Sequence, residues 1–298
     1  MSRIAYYPGC SNKGSSIEYE ISTQAVCERL GVGLEEIPNW SCCGSTPAHA
    51  VDPALSAALT GRNIMLAGQM GHKKIATPCP SCLKNLRSTQ HKLQNDEFRA
   101  RVEKLVDGSI PTDIDSRSVL QIIFEEIGPE ELKSRTVKPL KGLKVAPYYG
   151  CMLNRPEELM DFGDSENPMA LDLLMEALGA EVVQFPLKTE CCGASVAMTR
   201  KKVVTTLSGR ILDTAAAFGA DAVVTACPLC QMNLDMRQGQ INRANKSHHR
   251  MPVFYYTQLI GLALGLDEKL LALDKLYVSP DRVLKNMGKQ TAEAAAAR

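Results

Sequence analysis

The sequence predicts an α/β protein of two similar lobes from an internal duplication, each with a mainly parallel sheet flanked by helices. Three observations predict it. Five cysteines spaced as Cys10…Cys42-Cys43-Gly44…Cys79-Pro80-Ser81-Cys82 return as Cys151…Cys191-Cys192-Gly193…Cys227-Pro228-Leu229-Cys230. The gaps agree: 31 and 39 residues precede the adjacent pair, and 34 and 33 separate the glycine from Cys-Pro-x-Cys. Strand-like runs also alternate with helical stretches in both halves, the pattern of an α/β unit.

Taken in order, the strands of the first lobe are expected at Ile4–Tyr7, Leu34–Ile37 and Lys74–Thr77, and those of the second at Val145–Tyr149, Glu181–Phe185 and Ala222–Thr225. Helices are expected over Glu18–Leu30, Ala54–Gly68, Pro168–Leu178 and Lys201–Phe218, where apolar residues recur at three and four. Every cysteine of the two sets then follows a strand. Residues Arg99 to Gly142 are more charged and less periodic, and they read as a crossover containing one helix from Ser118 to Ile127. The first lobe is placed at 1–137 with this crossover, the second at 138–280, and a polar tail at 281–298. Further residues repeat in step: Gly61-Arg62 with Gly209-Arg210, and Asn85-Leu86 with Asn233-Leu234, each 148 residues apart like Cys82 and Cys230.

Composition bounds the function. The chain has 298 residues, 45% hydrophobic and 22% charged, enough for a core in each lobe. Its 34 basic and 33 acidic side chains give a net charge of +1, with no field to attract nucleic acid. No apolar run is long enough to span a bilayer. The N-terminus enters Arg3-Ile4-Ala5-Tyr6-Tyr7 without the apolar stretch of a signal peptide, so the expected location is the cytoplasm. In a reducing compartment, cysteines at short fixed spacings are read as metal ligands or redox groups before structural disulfides.

The spacing carries chemistry. A proline after the first cysteine of Cys-Pro-x-Cys suits the first turn of a helix, so both thiols sit where the helix dipole and free amides favour thiolate. Adjacent strand residues point to opposite faces, so Cys42-Cys43 and Cys191-Cys192 serve one small centre only where the backbone turns, and Gly44 and Gly193 supply that turn. Five thiols exceed the four ligands of a structural zinc and suit a multi-iron cluster better. A zinc-stabilised scaffold is the bland alternative. Cys27 has no counterpart in the other lobe and reads as a small core residue. There is no Gly-x-Gly-x-x-Gly fingerprint or phosphate loop, so electrons come from a partner.

The two complete sets closely resemble the duplicated cysteine-rich domain found in the B subunit of heterodisulfide reductase. The resemblance covers the chain to about Pro280. It implies that Cys10, Cys42, Cys43, Cys79 and Cys82 bind one noncubane [4Fe–4S] cluster, and that Cys151, Cys191, Cys192, Cys227 and Cys230 bind a second. It also implies a flavin-bearing partner subunit, a ferredoxin-like partner subunit, and reduction of a disulfide by two one-electron steps. Related cysteine domains in quinone-linked and dehydrogenase complexes leave a second function open, that of a noncatalytic iron–sulfur electron-transfer subunit. If the lobes face each other across their cysteine loops, residues next to the ligands line the gap: Asn12, Lys13, Ser45, Thr46, His49, Asn154, Arg155 and Ser195. Among them Lys13 and Arg155 suit an anionic group of the substrate.

Overall fold

The computed structural model describes residues 3–287, apart from the side chain of Thr46. Two four-stranded parallel sheets form its frame. The first contains β1 (Arg3–Tyr6), β2 (Gly33–Glu36), β3 (Lys74–Thr77) and β4 (Asp115–Ser118) in the order β2-β1-β3-β4. The second contains β5 (Lys144–Tyr148), β6 (Glu181–Val182), β7 (Ala222–Thr225) and β8 (Val253–Tyr255) in the order β6-β5-β7-β8. The same order in both sheets is the structural trace of the repeat.

Long helices connect the strands. The helix Ile17–Leu30 stops at Gly31, which takes the left-handed conformation at φ 82°. Pro53–Gln69 starts on Asp52, whose carboxylate accepts from the amides of Ala54 and Leu55. In the second lobe the expected helices lie at Ala170–Ala177 and Lys201–Ala217. The segment read as a crossover holds more than a connection: it contributes a helix at Asp96–Val106 and the edge strand β4. That strand, Asp-Ser-Arg-Ser, has no apolar run because it borders the sheet. The expected helix begins one residue later, at Val119, capped by the Ser118 hydroxyl, and widens into a π-turn over Ile123–Ile127. The strand expected to reach Phe185 stops at Val182 and turns toward Cys191.

Alternation along the strands divides the core. Ala5, Tyr7 and Ile75 pack in a cluster belonging to the first lobe, and Ala146, Tyr148 and Val223 in one belonging to the second. Ile4 and Tyr6 turn the other way, as do Val145 and Tyr149, into a third and larger cluster that both lobes share. Tyr19, Cys27, Phe254 and Leu259 lie in this shared core. Cys27 is buried there, and burial pushes its thiol up to about 12. The lobes are therefore not two independently cored units.

Candidate metal centre

The five cysteines of each set stand beyond the carboxyl ends of the first three strands of their lobe, where open α/β sheets hold their ligands. After β1 and β5 the chain turns at Gly9 and Gly150, with φ of 74° and 69°. A Cβ on either glycine would lie 2.9 Å from a cysteine sulfur, Cys82 Sγ in the first lobe and Cys230 Sγ in the second. After β3 and β7, Cys79 and Cys227 occupy the N-cap of the helices Pro80–Lys92 and Pro228–Leu234. Cys82 and Cys230 follow within the first turn. Gly44 and Gly193 take φ of 79° and 83° and reverse the chain after each cysteine pair.

Matching hydrogen bonds brace the two pairs. The hydroxyl of Tyr7 donates to the carbonyl of Ser41 at 2.8 Å, and that of Tyr148 to the carbonyl of Glu190 at 2.6 Å. Each carbonyl belongs to the residue before a cysteine pair. The Cys43 carbonyl accepts from the Asn85 amide at 3.1 Å and the Thr60 hydroxyl at 3.4 Å. Its counterpart on Cys192 accepts from Asn233 at 3.4 Å and Ser208 at 3.1 Å. The asparagines repeat in the sequence with the cysteines, and that repetition is the only sign of their role in the sequence.

The thiols lie close together. Cys43 Sγ is 3.5 Å from Cys82 Sγ, Cys42 Sγ 3.7 Å from Cys10 Sγ, and Cys192 Sγ 3.6 Å from Cys230 Sγ. Such contacts divide the protons unequally. Hydrogen bonds from Cys42 and Cys82 hold Cys43 down at about 3, and one from Cys151 holds Cys191 at about 6. Cys79 and Cys192 are also lowered, by the thiols of Cys82 and Cys230. The donors Cys42, Cys82, Cys151 and Cys230 are raised, first by the hydrogen bond each gives and then by burial or neighbouring charge. Within each set some thiols are thus lowered at the expense of their neighbours, the direction that favours the ligating thiolate.

A cavity of about 300 Å³ opens beside the second set and is lined by all five of its cysteines. Ser45, Pro47, Pro80 and Ser81 of the first lobe form part of its wall. Tyr149, Met152, Ser195 and Leu229 complete most of the rest. Among the described residues, no three Cys, His, Asp or Glu side chains are gathered around one point as ligands of a single metal ion. The donor set of five thiols per lobe, without carboxylate or imidazole, and the glycine turns left open at the ligand sulfurs fit a polynuclear iron–sulfur group.

Of the residues expected to line the gap, Ser45 and Ser195 do so. The side chain of Thr46 lies outside the described residues. His49 is exposed on the helix Ser45–Val51. Asn12 and Asn154 are buried, and the Asn154 amide donates to the Phe162 carbonyl. Lys13 and Arg155 are absent from the cavity wall, because nearby groups hold them. Lys13 pairs with Glu20 at 3.0 Å and Glu36 at 2.7 Å. Arg155 donates to Glu166 at 2.6 Å, the Ser165 carbonyl at 3.1 Å and the Thr189 hydroxyl at 3.1 Å.

The architecture has known counterparts. Residues 4–87 and 145–235 each match the cysteine-rich domain family, CCG. The chain is 38% identical to the 8-methylmenaquinol:fumarate reductase membrane anchor subunit of Wolinella succinogenes, over 91% of this chain and 95% of that one. It is 32% identical to the B subunit of the ferredoxin/F420H2-dependent CoB–CoM heterodisulfide reductase of Methanosarcina acetivorans, over 92% and 93%. A hypothetical protein from Helicobacter pylori shares the fold, with a TM-score of 0.77 at 13% identity, over 93% of this chain and 52% of that one. The chain belongs to the duplicated cysteine-rich CCG family that includes the B subunit of heterodisulfide reductase. Among the described residues no helix is long and apolar enough to cross a membrane.

Proposed function

We propose that this chain is the catalytic subunit of a heterodisulfide reductase-like complex in the cytoplasm, reducing a disulfide at two noncubane [4Fe–4S] clusters. Cys10, Cys42, Cys43, Cys79 and Cys82 hold one, and Cys151, Cys191, Cys192, Cys227 and Cys230 the other. A ferredoxin-like subunit and a flavin-bearing subunit deliver electrons. When bound, the two groups supply one electron each, and cleavage of the S–S bond consumes both together with two protons. The observation that carries the reading is the cavity that five thiols of one lobe and the loops of the other enclose. Its wall offers serine hydroxyls and apolar surface from Pro47, Pro80, Met152 and Leu229, with no lysine, arginine, aspartate or glutamate among its lining residues. The part of the substrate that enters is therefore uncharged, and the ion-paired Lys13 and Arg155 brace loops. The proposed lobes are 1–137 and 138–280, with one sheet ending at Ser118 and the next beginning at Lys144; of the segment after Pro280, Val283, Leu284 and Met287 pack against the shared core.

Anaerobic assay of iron, sulfide and zinc, followed by thiol release from a neutral disulfide added to the reduced protein, tests the reading. About eight irons with acid-labile sulfide and two thiols released per disulfide are expected. Zinc without sulfide refutes the redox function. A second reading, an electron-transfer subunit of a quinol-linked complex, is favoured by the 38% identity to a subunit named for quinol:fumarate reduction. Iron and sulfide without any thiol release select it.

A further inference from the structure

Tyr19 is fully buried on the helix Ile17–Leu30, and its hydroxyl stands between the lobes. It lies 3.3 Å from the Pro78 carbonyl and 3.2 Å from the Ala226 carbonyl. These carbonyls are equivalent. Each belongs to the residue before the first cysteine of a Cys-Pro-x-Cys turn, and they are 148 residues apart. The peptide that accepts from Tyr19 is in each case the peptide whose nitrogen belongs to the ligand, Cys79 or Cys227. The ring cannot drift, because it stacks on Tyr255 at 4.0 Å between centroids and 5° between planes, and meets Tyr256 edge-on at 6.2 Å.

We infer that Tyr19 is a positioning residue that locks the two Cys-Pro-x-Cys turns to each other, one hydroxyl serving both lobes. A tyrosine hydroxyl has a single proton, so the two carbonyls share one donor and its removal frees both turns at once. Ordinary seam packing does not have this property. The Ser22 and Thr257 hydroxyls also meet across the lobes, at 2.8 Å, and touch neither cysteine turn.

The two bonds give the experiment its control. Tyr19→Phe keeps the stacked ring and removes the shared donor, whereas Ser22→Ala removes a seam hydrogen bond of similar burial, and with it the 3.2 Å bond from Ser22 to the Tyr19 carbonyl within the same helix, while leaving the Tyr19 hydroxyl in place. Amide hydrogen exchange is followed in the full chain at Cys79 and residues 81–83, and at Cys227 and residues 229–231. Tyr19→Phe is expected to speed exchange at both turns together by about fivefold, the equivalent of roughly 1 kcal/mol. Ser22→Ala is expected to leave both turns within about twofold of the parent. Faster exchange at one turn alone, no change at either, or the same loosening in Ser22→Ala overturns the inference. The measurement needs no iron, so its failure is separate from any failure of the redox reading, which the metal and sulfide assay decides.

Discussion

The two lobes support their first cysteine loops with the same three kinds of group, a buried tyrosine, a buried carboxylate and a lysine, and differ in how exposed the lysine is. In the first lobe the Tyr6 hydroxyl donates to Glu20 at 2.6 Å, and Lys13 reaches the same carboxylate from a position 36% exposed. In the second, the Tyr149 hydroxyl donates to Asp172 at 2.6 Å, and Lys188 pairs with that carboxylate at 2.9 Å, the two side chains 10% and 4% exposed. The members do not correspond in sequence: Tyr149 follows its strand where the first lobe has Pro8. The repeat carries the cysteines and their immediate hydrogen bonds, whereas the charged supports do not correspond between the halves. The cysteine turns are alike in the two halves, and the surrounding brace is not.

The largest expected effect tests whether the two sets are separate centres. Cys43→Ser and Cys192→Ser should each remove roughly half of the iron and sulfide and leave the other half in place. Complete loss from either single variant would mean that the two sets assemble as one.

Next comes the contrast between the braces. Lys188→Met leaves Asp172 buried without its cation and should cost about 3–5 kcal/mol in urea denaturation. Lys13→Met removes a cation that is 36% exposed and shared with the exposed Glu36, so water replaces part of it and the cost should be smaller, about 1–2 kcal/mol. Equal losses would show that the difference in burial is irrelevant.

A third effect belongs to the second lobe. Burial pushes the Asp235 carboxyl up to about 7, and the Glu18 carboxylate adds to it, against the amides of Tyr277 and Val278 and the Gln231 side chain, which favour the anion. An unfolded aspartate titrates near 4, so between about pH 4 and 7 the folded chain binds a proton that the unfolded chain does not. Stability contributed at low pH is lost as pH rises through 7, by a few kcal/mol. Denaturation at several pH values should show this fall, and Asp235→Asn should flatten most of it.

The smallest expected effect concerns Arg155. With its guanidinium held by Glu166, Ser165 and Thr189, Arg155→Ala should change KM equally little for a charged and a neutral disulfide. A selective rise for the charged compound would return Arg155 to the substrate.

These contrasts mark what can be read in the chain. Four of the six expected strands, β1, β3, β5 and β7, are central and largely buried, which makes them legible; the edge strands β2 and β6 are read from their place in the repeat. The edge strand Asp115–Ser118 is polar, and Val253–Tyr255 is too short to stand out from the helix after it. The cysteine sets announce themselves by spacing, which no other residue type in the chain repeats as fully. Lys13 and Arg155 lie next to ligands in the sequence, but a charge close in sequence to a site is spent on whichever acid the fold brings nearest. Glu36 and Glu166 come from other segments, and no local pattern foretells them. Tyr19 has no partner in the repeat and looks like any aromatic of an amphipathic helix; only the meeting of Pro78 and Ala226 gives it a task.

The shared cluster that joins the lobes has a consequence for any chain cut in two. A single lobe would expose the faces of Ile4, Tyr6 and Tyr19, or of Phe254, Tyr255 and Leu259, to water. Exposed apolar faces of that extent make a protein seek a partner. The halves of this molecule are thus an obligate pair. Severed in the segment before Lys144, they should be recovered together as a noncovalent heterodimer, and a protein with one such lobe would need a second copy of itself to be stable.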